Sequence, residues 1–374
     1  MFFRDVIGQE AVKDRMIQSV KEARVSHAQL LAGPEGSGKL ALALAYAQYL
    51  SCSGEKSSDS CGECPSCKKY RKLIHPDLHF VFPVVKTPKF KDPVSDHFIG
   101  EWREMIFAGP YFNLDDWFDF IGVENAQGMI YANESNEIMR KLNLKSFESE
   151  YKVMIIWMAE KMNASCANKL LKMIEEPPVK TLFLLIAESE EEIISTIRSR
   201  CQLVKVPGIE PGALSAALKA RGVQDGKTLE NLVHLSRGNY RKALRLTQRG
   251  TDENENLDLF KDLMRLSYGR KFLDLFKWIE VVSGIGREKQ KSFLQYALGQ
   301  VRENFISNLK RPELVFMDEN EQSFSSRFSP FINERNVITI AEELEKAYVH
   351  VAMNGNPRII FTDMALKIVK LIRK

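Results

Sequence analysis

Four of the six cysteines lie in one short segment with the spacing C-x8-C-x2-C-x2-C. They are Cys52, Cys61, Cys64 and Cys67. Four thiolates satisfy the tetrahedral coordination of Zn²⁺, and C-x2-C steps are a common way to bring two of them to one metal. Closely spaced cysteines also bind iron–sulfur clusters. Because a disulfide framework would spread its cysteines through a secreted chain, the spacing predicts a metal site, with zinc and iron–sulfur as the two alternatives.

A second group of residues has the composition of a phosphate-binding loop. The stretch that starts at Gly33 reads GPEGSGKL, which fits G-x-x-x-x-G-K. Glycines at Gly33, Gly36 and Gly38 allow backbone amides to turn toward an anion, and the Lys39 ammonium neutralises phosphate charge. The next residue would normally be Ser or Thr, whose hydroxyl binds magnesium, but here it is Leu40. Nucleotide binding stays open, and a loop kept only for folding is the alternative.

The acidic pair that completes an ATPase site is missing from the expected place. In sites of this type, carboxylates at the end of a buried strand hold magnesium and polarise water. The candidate strand is Lys152–Ile156, and the two residues that follow it, Trp157 and Met158, are apolar. Because both the magnesium hydroxyl and the acidic pair are replaced, we expect that this chain does not hydrolyse ATP.

These groups need a framework to position them, and the flanking sequence predicts one. The loop follows a short apolar strand, His27–Leu31, and precedes a helix rich in Ala and Leu, Leu40–Leu50. Three more strands, separated by helices, are expected at Val153–Trp157, Leu182–Ala187 and Gln202–Val206. Strands that alternate with helices favour a parallel sheet covered on both faces. We therefore predict an α/β P-loop domain.

Strand signals fade after residue 208. Short helices are expected in 209–251 and long amphipathic helices in 252–374, with Asp252–Glu255 as a linker. The chain is therefore divided into an α/β domain (1–208), a small helical lid (209–251) and an all-α C-terminal domain (252–374).

The first domain also contains the cysteine segment (52–67) and an insertion at about 83–131 that is rich in aromatic residues and interrupted by prolines. The insertion either packs its aromatic rings inward or presents them to a partner. Inward packing is the commoner arrangement, and we expect it here.

The composition is that of an ordinary folded protein. The chain has 374 residues, 44% of them hydrophobic, and 53 basic against 49 acidic residues give a net charge of +4. An excess this small does not by itself indicate nucleic-acid binding. Apolar runs stay strand-sized, and the N-terminus, Met1–Asp5, has no apolar signal core. We therefore expect a soluble cytoplasmic protein without a membrane segment.

Several motifs resemble one family, the AAA+ clamp-loader subunits of bacterial DNA polymerase III. They are the opening box Phe3–Gln9, the segment Ala167–Pro178, the triplet Ser199-Arg200-Cys201, the segment Gly238–Leu244 and the element Asn354–Arg358. The third is similar to the family's S-R-C motif, and the fourth is similar to the segment that carries its sensor 2.

The resemblance covers residues 1–82 and 132–250 well and the C-terminal domain loosely. It implies a RecA-like AAA+ domain, a lid and an oligomerisation collar. Active members of the family keep the Ser/Thr and the acidic pair. With Leu40, Trp157 and Met158 at those positions, the chain resembles the stationary, non-hydrolysing δ′ branch.

The resemblance also implies roles for particular residues. Clamp-loader subunits of this type carry a zinc module after the P-loop helix, which favours structural zinc over an iron–sulfur cluster on the four cysteines. In this family the S-R-C arginine is an arginine finger that acts in trans, and this role falls on Arg200. A surface arginine paired with a carboxylate is the alternative. Arg198 and Arg241 are weaker candidates, as a neighbouring salt-bridge residue and a vestigial sensor 2.

The partners implied by the resemblance are the ATPase clamp-loader subunits, the δ subunit, the sliding clamp and primer–template DNA, within a pentameric hetero-oligomer. The expected function is to help load the sliding clamp on primed DNA during replication. Two other functions remain as alternatives. One is an ATP-hydrolysing, γ/τ-like clamp-loader ATPase, and the other is a stand-alone zinc-dependent DNA-binding protein.

Overall fold

A computed structural model describes residues 1–123, 128–223, 226–248, 252–309, 315, 317 and 319–373 of the chain. The chain divides into two compact units, Met1–Arg245 and Leu246–Lys374. The predicted insertion and lid include residues outside this description (124–127, 224, 225 and 249–251), among them the expected boundary at 251. The division into three domains stays a prediction.

The first unit is built on a five-stranded parallel sheet. Its strands are β1 (Ala28–Ala32), β2 (Leu78–Val81), β3 (Lys152–Trp157), β4 (Thr181–Ala187) and β5 (Gln202–Lys205). Their spatial order is β2-β3-β4-β1-β5, and all four pairings are parallel. Four strands lie where the sequence predicts them. Strand β2 was not predicted, because its apolar residues run without a break into the aromatic-rich segment that follows. The predicted α/β fold class is confirmed.

Helices pack on both faces of this sheet. The α-helices that begin in the first unit are α1 (Glu10–Lys21), α2 (Lys39–Ser51), α3 (Pro65–Arg71), α4 (Ile99–Ala108), α5 (Leu114–Phe120), α6 (Glu134–Asn143), α7 (Ala164–Glu175), α8 (Ser195–Arg198), α9 (Pro211–Ala220), α10 (Gly226–Ser236) and α11 (Tyr240–Gln248), the last of which continues past the end of the unit at Arg245. Successive residues of a strand point to opposite faces. Leu182 and Leu184 accordingly pack in a core with α1 and α2, whereas Phe183 and Leu185 pack in another with α6 and α7.

Helix α2 is buried on every side. All of its residues from Lys39 to Ser51 are shielded from solvent, and most are Ala or Leu. A helix that is apolar all round belongs in the interior of a protein rather than on its surface. The N-terminus of α2, where the phosphate-binding loop ends, is therefore held firmly against the sheet.

The aromatic-rich insertion packs inward, as predicted. Trp102 on α4 and Trp117 on α5 are fully buried, and Trp102 stacks on Phe82 with 4.1 Å between ring centroids. The Trp117 indole N–H donates to the carbonyl of Pro83 at 2.9 Å, so its polar atom is also satisfied. Phe107 is an exception, with 59% of its surface exposed. The insertion is thus part of the main core of the first unit.

The described residues of the second unit form helices. They are α12 (Asp252–Gly269), α13 (Phe272–Gly284), α14 (Arg287–Asn308), α15 (Glu319–Phe328), α16 (Val337–Ala352) and α17 (Pro357–Leu371). Their own core is centred on large buried residues such as Phe260, Phe293 and Phe361. The predicted linker at Asp252–Glu255 is wrong, because α12 already begins at Asp252. Nowhere in the described part of the chain is there a helix long and apolar enough to cross a membrane.

Candidate functional site

The phosphate-binding loop joins β1 to α2, in the strand–loop–helix order that the sequence predicts. Gly36 and Gly38 have φ angles of +69° and +89°, a region that glycine adopts without steric cost. Gly33 passes so close to the chain after β5 that a Cβ atom would lie 1.8 Å from the carbonyl oxygen of Val206. The free amides at the N-terminus of α2 therefore face the space that the loop encloses, a geometry suited to an anion.

The Lys39 ammonium lies across the loop. Its Nζ donates to the carbonyl oxygens of Gly33 and Pro34, at 2.6 Å each. An ammonium has three N–H donors, and the third has the Ser37 hydroxyl as its acceptor at 3.5 Å. Burial lowers the pKa of Lys39 to about 8, and nearby carboxylates oppose this shift. Lys39 therefore remains mostly charged at neutral pH.

The three positions at which an active ATPase would carry a magnesium hydroxyl or an acidic residue are all buried in this chain. The exposed fractions of Leu40, Trp157 and Met158 are 4%, 4% and 5%, and all three belong to the core of the first unit. The Trp157 ring lies 5.1 Å from Trp102 and 5.2 Å from Phe112, both in the insertion. Side chains packed this closely leave no space in which a metal ion with its water ligands could take their place.

Three carboxylates that the sequence analysis missed lie around Lys39. They belong to Glu35, Glu160 and Glu188. Glu160 accepts a hydrogen bond from the backbone N–H of Glu188 at 2.9 Å. Burial raises the pKa of Glu160, and burial with the neighbouring Glu35 raises the pKa of Glu188 to about 7. A sequence signal existed: Glu160 and Glu188 follow β3 and β4, and the carboxyl ends of parallel strands meet at one edge.

Arg241, the sensor 2 candidate, lies close to the same loop. Its guanidinium donates to both carboxylate oxygens of Asp116, with the Nη2–Oδ1 bond at 2.7 Å. It also donates to Glu35 at 3.1 Å. Asp116 is in the insertion, more than a hundred residues away along the chain, and no sequence signal connected the two residues.

Arg200, the arginine-finger candidate, is on the surface. It lies in the turn between α8 and β5, and its side chain is 40% exposed. The guanidinium is 2.5 Å from a carboxylate oxygen of Glu175 and donates to the carbonyl of Thr196 at 3.0 Å. Its neighbour Arg198 donates to the carbonyl of Glu190 at 3.4 Å.

The direction of the strands places Arg200 far from the loop of its own chain. β5 runs parallel to β1, with Gln202 beside Gln29 and Lys205 beside Ala32. Arg200 precedes β5 and so lies at the edge where β1 begins, whereas the phosphate-binding loop leaves β1 at the opposite edge. At about 3.3 Å per residue, β1 separates the two edges by roughly 15 Å. The Arg200 guanidinium therefore cannot reach a phosphate in its own loop.

The structure brings the four predicted metal ligands together. The Sγ atoms of Cys52, Cys61, Cys64 and Cys67 all lie within 4.8 Å of one another. The Cys61–Cys67 and Cys52–Cys64 sulfur pairs are each 4.0 Å apart, and all four thiols are free. Tetrahedral Zn–S bonds of about 2.3 Å place sulfurs roughly 3.8 Å apart. The donor set therefore fits one zinc ion, and with four protein ligands that ion would have a structural role.

Backbone amides support the charge that such a site requires. The N–H groups of Cys61, Cys64 and Cys67 donate to the sulfurs of Cys52, Cys61 and Cys64 respectively, at 3.3–3.4 Å. Hydrogen bonds of this kind stabilise thiolates and orient them. The segment also holds the N-terminus, because Asp59 accepts hydrogen bonds from the backbone N–H groups of Phe3 and Arg4, at 3.1 Å each.

Comparisons with known proteins show that this chain is similar to subunits of DNA polymerase III. A family model described as "DNA polymerase III, delta subunit" matches residues 8–210, more than half of the chain. DNA polymerase III subunit delta' of Bacillus subtilis is 30% identical over 56% of this chain and 51% of its own length. The subunit of the same name from Pseudomonas aeruginosa is 31% identical over 62% and 58%. DNA polymerase III subunit gamma of Buchnera aphidicola is 25% identical over 66% and 58%. The chain thus spans between half and three-fifths of the length of these curated relatives.

Proposed function

We propose that this chain, which belongs to the delta' branch of the clamp-loader family of DNA polymerase III, is a subunit that does not hydrolyse ATP. It would instead supply Arg200 to the ATP site of a neighbouring subunit. In this role it would help load the sliding clamp on primed DNA. Its partners would be the ATPase subunits, the δ subunit, the clamp and primer–template DNA, in a pentameric hetero-oligomer.

The observation that carries the first half of this proposal is the burial of Leu40, Trp157 and Met158. Phosphoryl transfer depends on a positioned metal ion and a positioned water molecule. Here apolar residues stand at the sequence positions that would supply the metal ligands and the base, so the loop would keep the shape of an anion site without the groups that drive hydrolysis. The four cysteines would hold zinc in a structural role, apart from any reaction.

The position of Arg200 supports the second half. Because the Arg200 guanidinium lies at the opposite edge of the sheet from its own loop, any nucleotide that it contacts must be bound by another chain. Its ion pair with Glu175 is exposed on both sides, with side chains 40% and 45% accessible. Exposed pairs contribute at most about 1 kcal/mol, so Arg200 can exchange Glu175 for the phosphate oxygens of a neighbour at little cost.

Reconstitution tests the proposal. A clamp loader assembled from this chain, its ATPase subunits and δ is assayed for ATP hydrolysis with clamp and primed DNA. We expect Arg200→Ala to leave assembly intact and to lower turnover by roughly 10³-fold at the site that Arg200 serves. Arg198→Ala is the matched control, because Arg198 is an exposed arginine two residues away. Wild-type turnover in a normally assembled Arg200→Ala complex would refute the finger.

One observation favours a second function, that of a clamp-loader ATPase. The Glu160 carboxylate lies two residues beyond the missing acidic pair and close enough to influence the charge of Lys39. It could substitute for a magnesium ligand in an unusual site. The purified chain, assayed alone with ATP and magnesium, tests this second function: brisk turnover would establish the ATPase, and we expect none.

A further inference from the structure

A short segment of the insertion, Tyr111–Asp116, lies against the phosphate-binding loop and the helix α11. The Tyr111 hydroxyl accepts a hydrogen bond from the backbone N–H of Ile7 at 2.9 Å. Its ring lies against Gly38, where an added Cβ would be 3.0 Å from the ring carbon Cε1. The same ring meets Tyr240 on α11 edge to face, with 5.0 Å between centroids. Tyr111 thus touches the chain before α1, the end of the loop, and the start of α11.

The carboxylate end of the segment binds the arginine of α11. Asp116 accepts both hydrogen bonds of a bidentate pair from Arg241, whose side chain is only 10% exposed. Such pairs are short, charge-assisted and geometrically specific. Arg241 also donates to Glu35 in the loop, and Asn113 donates to the other oxygen of Glu35 at 3.4 Å. Segment, loop and α11 are therefore joined in one network.

The charges around the loop no longer suit a nucleotide. Two cations, Lys39 and Arg241, interact electrostatically with five carboxylates, which belong to Glu35, Asp115, Asp116, Glu160 and Glu188. A triphosphate brought to the loop would meet these carboxylates in a partly desolvated space, where repulsion between like charges is strong. Arg241 is already paired with the carboxylates of Asp116 and Glu35, and the Lys39 ammonium already donates to carbonyl oxygens of the loop.

We propose that the segment Tyr111–Asp116 is a built-in ligand of this site, with the Asp116 carboxylate in the place of a bound anion on Arg241 and the Tyr111 ring against the loop. It fixes α11 against the phosphate-binding loop permanently, where a nucleotide would do so only while bound. The arrangement does not depend on Arg200 or on assembly, so it stands or fails separately from the proposed function.

Hydrogen exchange on the full-length chain tests this built-in ligand. Asp116→Asn keeps the size of the side chain and one oxygen for the cap of α5, but removes the charge that holds Arg241. We expect amides of α11 and of the loop at Gly36–Gly38 to exchange roughly tenfold faster or more, because a charge-assisted pair is lost. Glu101→Gln, an exposed carboxylate on α4 of the same insertion, is the control and leaves exchange unchanged.

A second variant and a ligand complete the test. Tyr111→Phe removes the hydroxyl that accepts the Ile7 N–H, so exchange should accelerate at the Ile7 amide while the ring stays in place. Millimolar ATP with magnesium should leave exchange of the wild-type loop unchanged. Wild-type exchange in both variants would overturn the proposal. Protection of the loop by ATP would also overturn it, because the nucleotide would then displace the segment.

Discussion

Replacing Cys64 by Ser separates the contribution of the metal from that of the surrounding fold. Cys64 is the N-cap of α3, and its sulfur accepts a hydrogen bond from the backbone N–H of Cys67 at 3.4 Å. A serine hydroxyl can accept the same bond and is a favoured N-cap. The substitution therefore removes one of four thiolates and leaves the start of the helix intact.

The size of the effect follows from the ligand set. Loss of a group that merely orients a metal ligand lowers affinity by 10–100-fold, so loss of a ligand should lower it by at least about 100-fold. With zinc in excess, that ratio corresponds to about 3 kcal/mol of stability. For a unit of this size we expect the Tm of the first unit to fall by about 5–10 °C.

The assay compares melting of the full chain in excess zinc and in a strong chelator. The wild type should melt higher than Cys64→Ser in zinc, and the two should converge in chelator, where both are metal-free. Cys201→Ser, at a thiol outside the cluster, should match the wild type in both conditions. Native mass spectrometry should find one zinc in the wild type. Iron, or no metal, in the wild type would refute the reasoning, as would a Tm gap that persists in chelator.

Two further predictions concern the stability of the first unit. Burial raises the pKa of Glu134 to about 7, and its Oε1 has no partner among the described residues, so the ionised carboxylate destabilises the fold. This penalty is absent below about pH 4.5 and complete above pH 7. Glu134→Gln should therefore raise the free energy of unfolding, measured in urea, by up to about 3 kcal/mol at pH 8 and by much less at pH 5. An equal gain at pH 5 and pH 8 would contradict this prediction. Trp102→Ala removes a fully buried ring stacked on Phe82 and should lower the free energy of unfolding by about 3–5 kcal/mol. Phe107→Ala, at an exposed position on the same helix, should change it by no more than about 0.5 kcal/mol. Similar losses for both variants would show that the insertion does not contribute to the core.

Local sequence was sufficient for the features that depend on spacing. The loop at Gly33–Lys39 and the four cysteines lie where their motifs predict, because each motif encodes its own geometry over a few residues. Strand β4 was predicted to within one residue, because it is a buried run of seven apolar or β-branched residues.

What sequence reasoning missed depends on contacts between distant parts of the chain. Asp116 and Arg241 form the most specific ion pair near the loop, yet they are 125 residues apart, and neither carries a sign of the other. The composition of the insertion predicted inward packing of its aromatic rings and gave no sign of a contact with the loop. Its aromatic residues do pack, and that packing is what delivers Tyr111 and Asp116 to the loop.

The parallel sheet gives the first unit a polarity, with an anion loop at one edge and Arg200 at the other. If Arg200 serves the loop of a neighbouring subunit as proposed, the two subunits associate head to tail, with the Arg200 edge of this chain against the loop edge of the next. In that arrangement, a chain that supplies an arginine but does not hydrolyse ATP serves the subunit on its Arg200 side. It needs no arginine from a subunit on its loop side. The proposal would therefore allow such a chain to occupy the end of an open row of subunits, with no subunit required on its loop side.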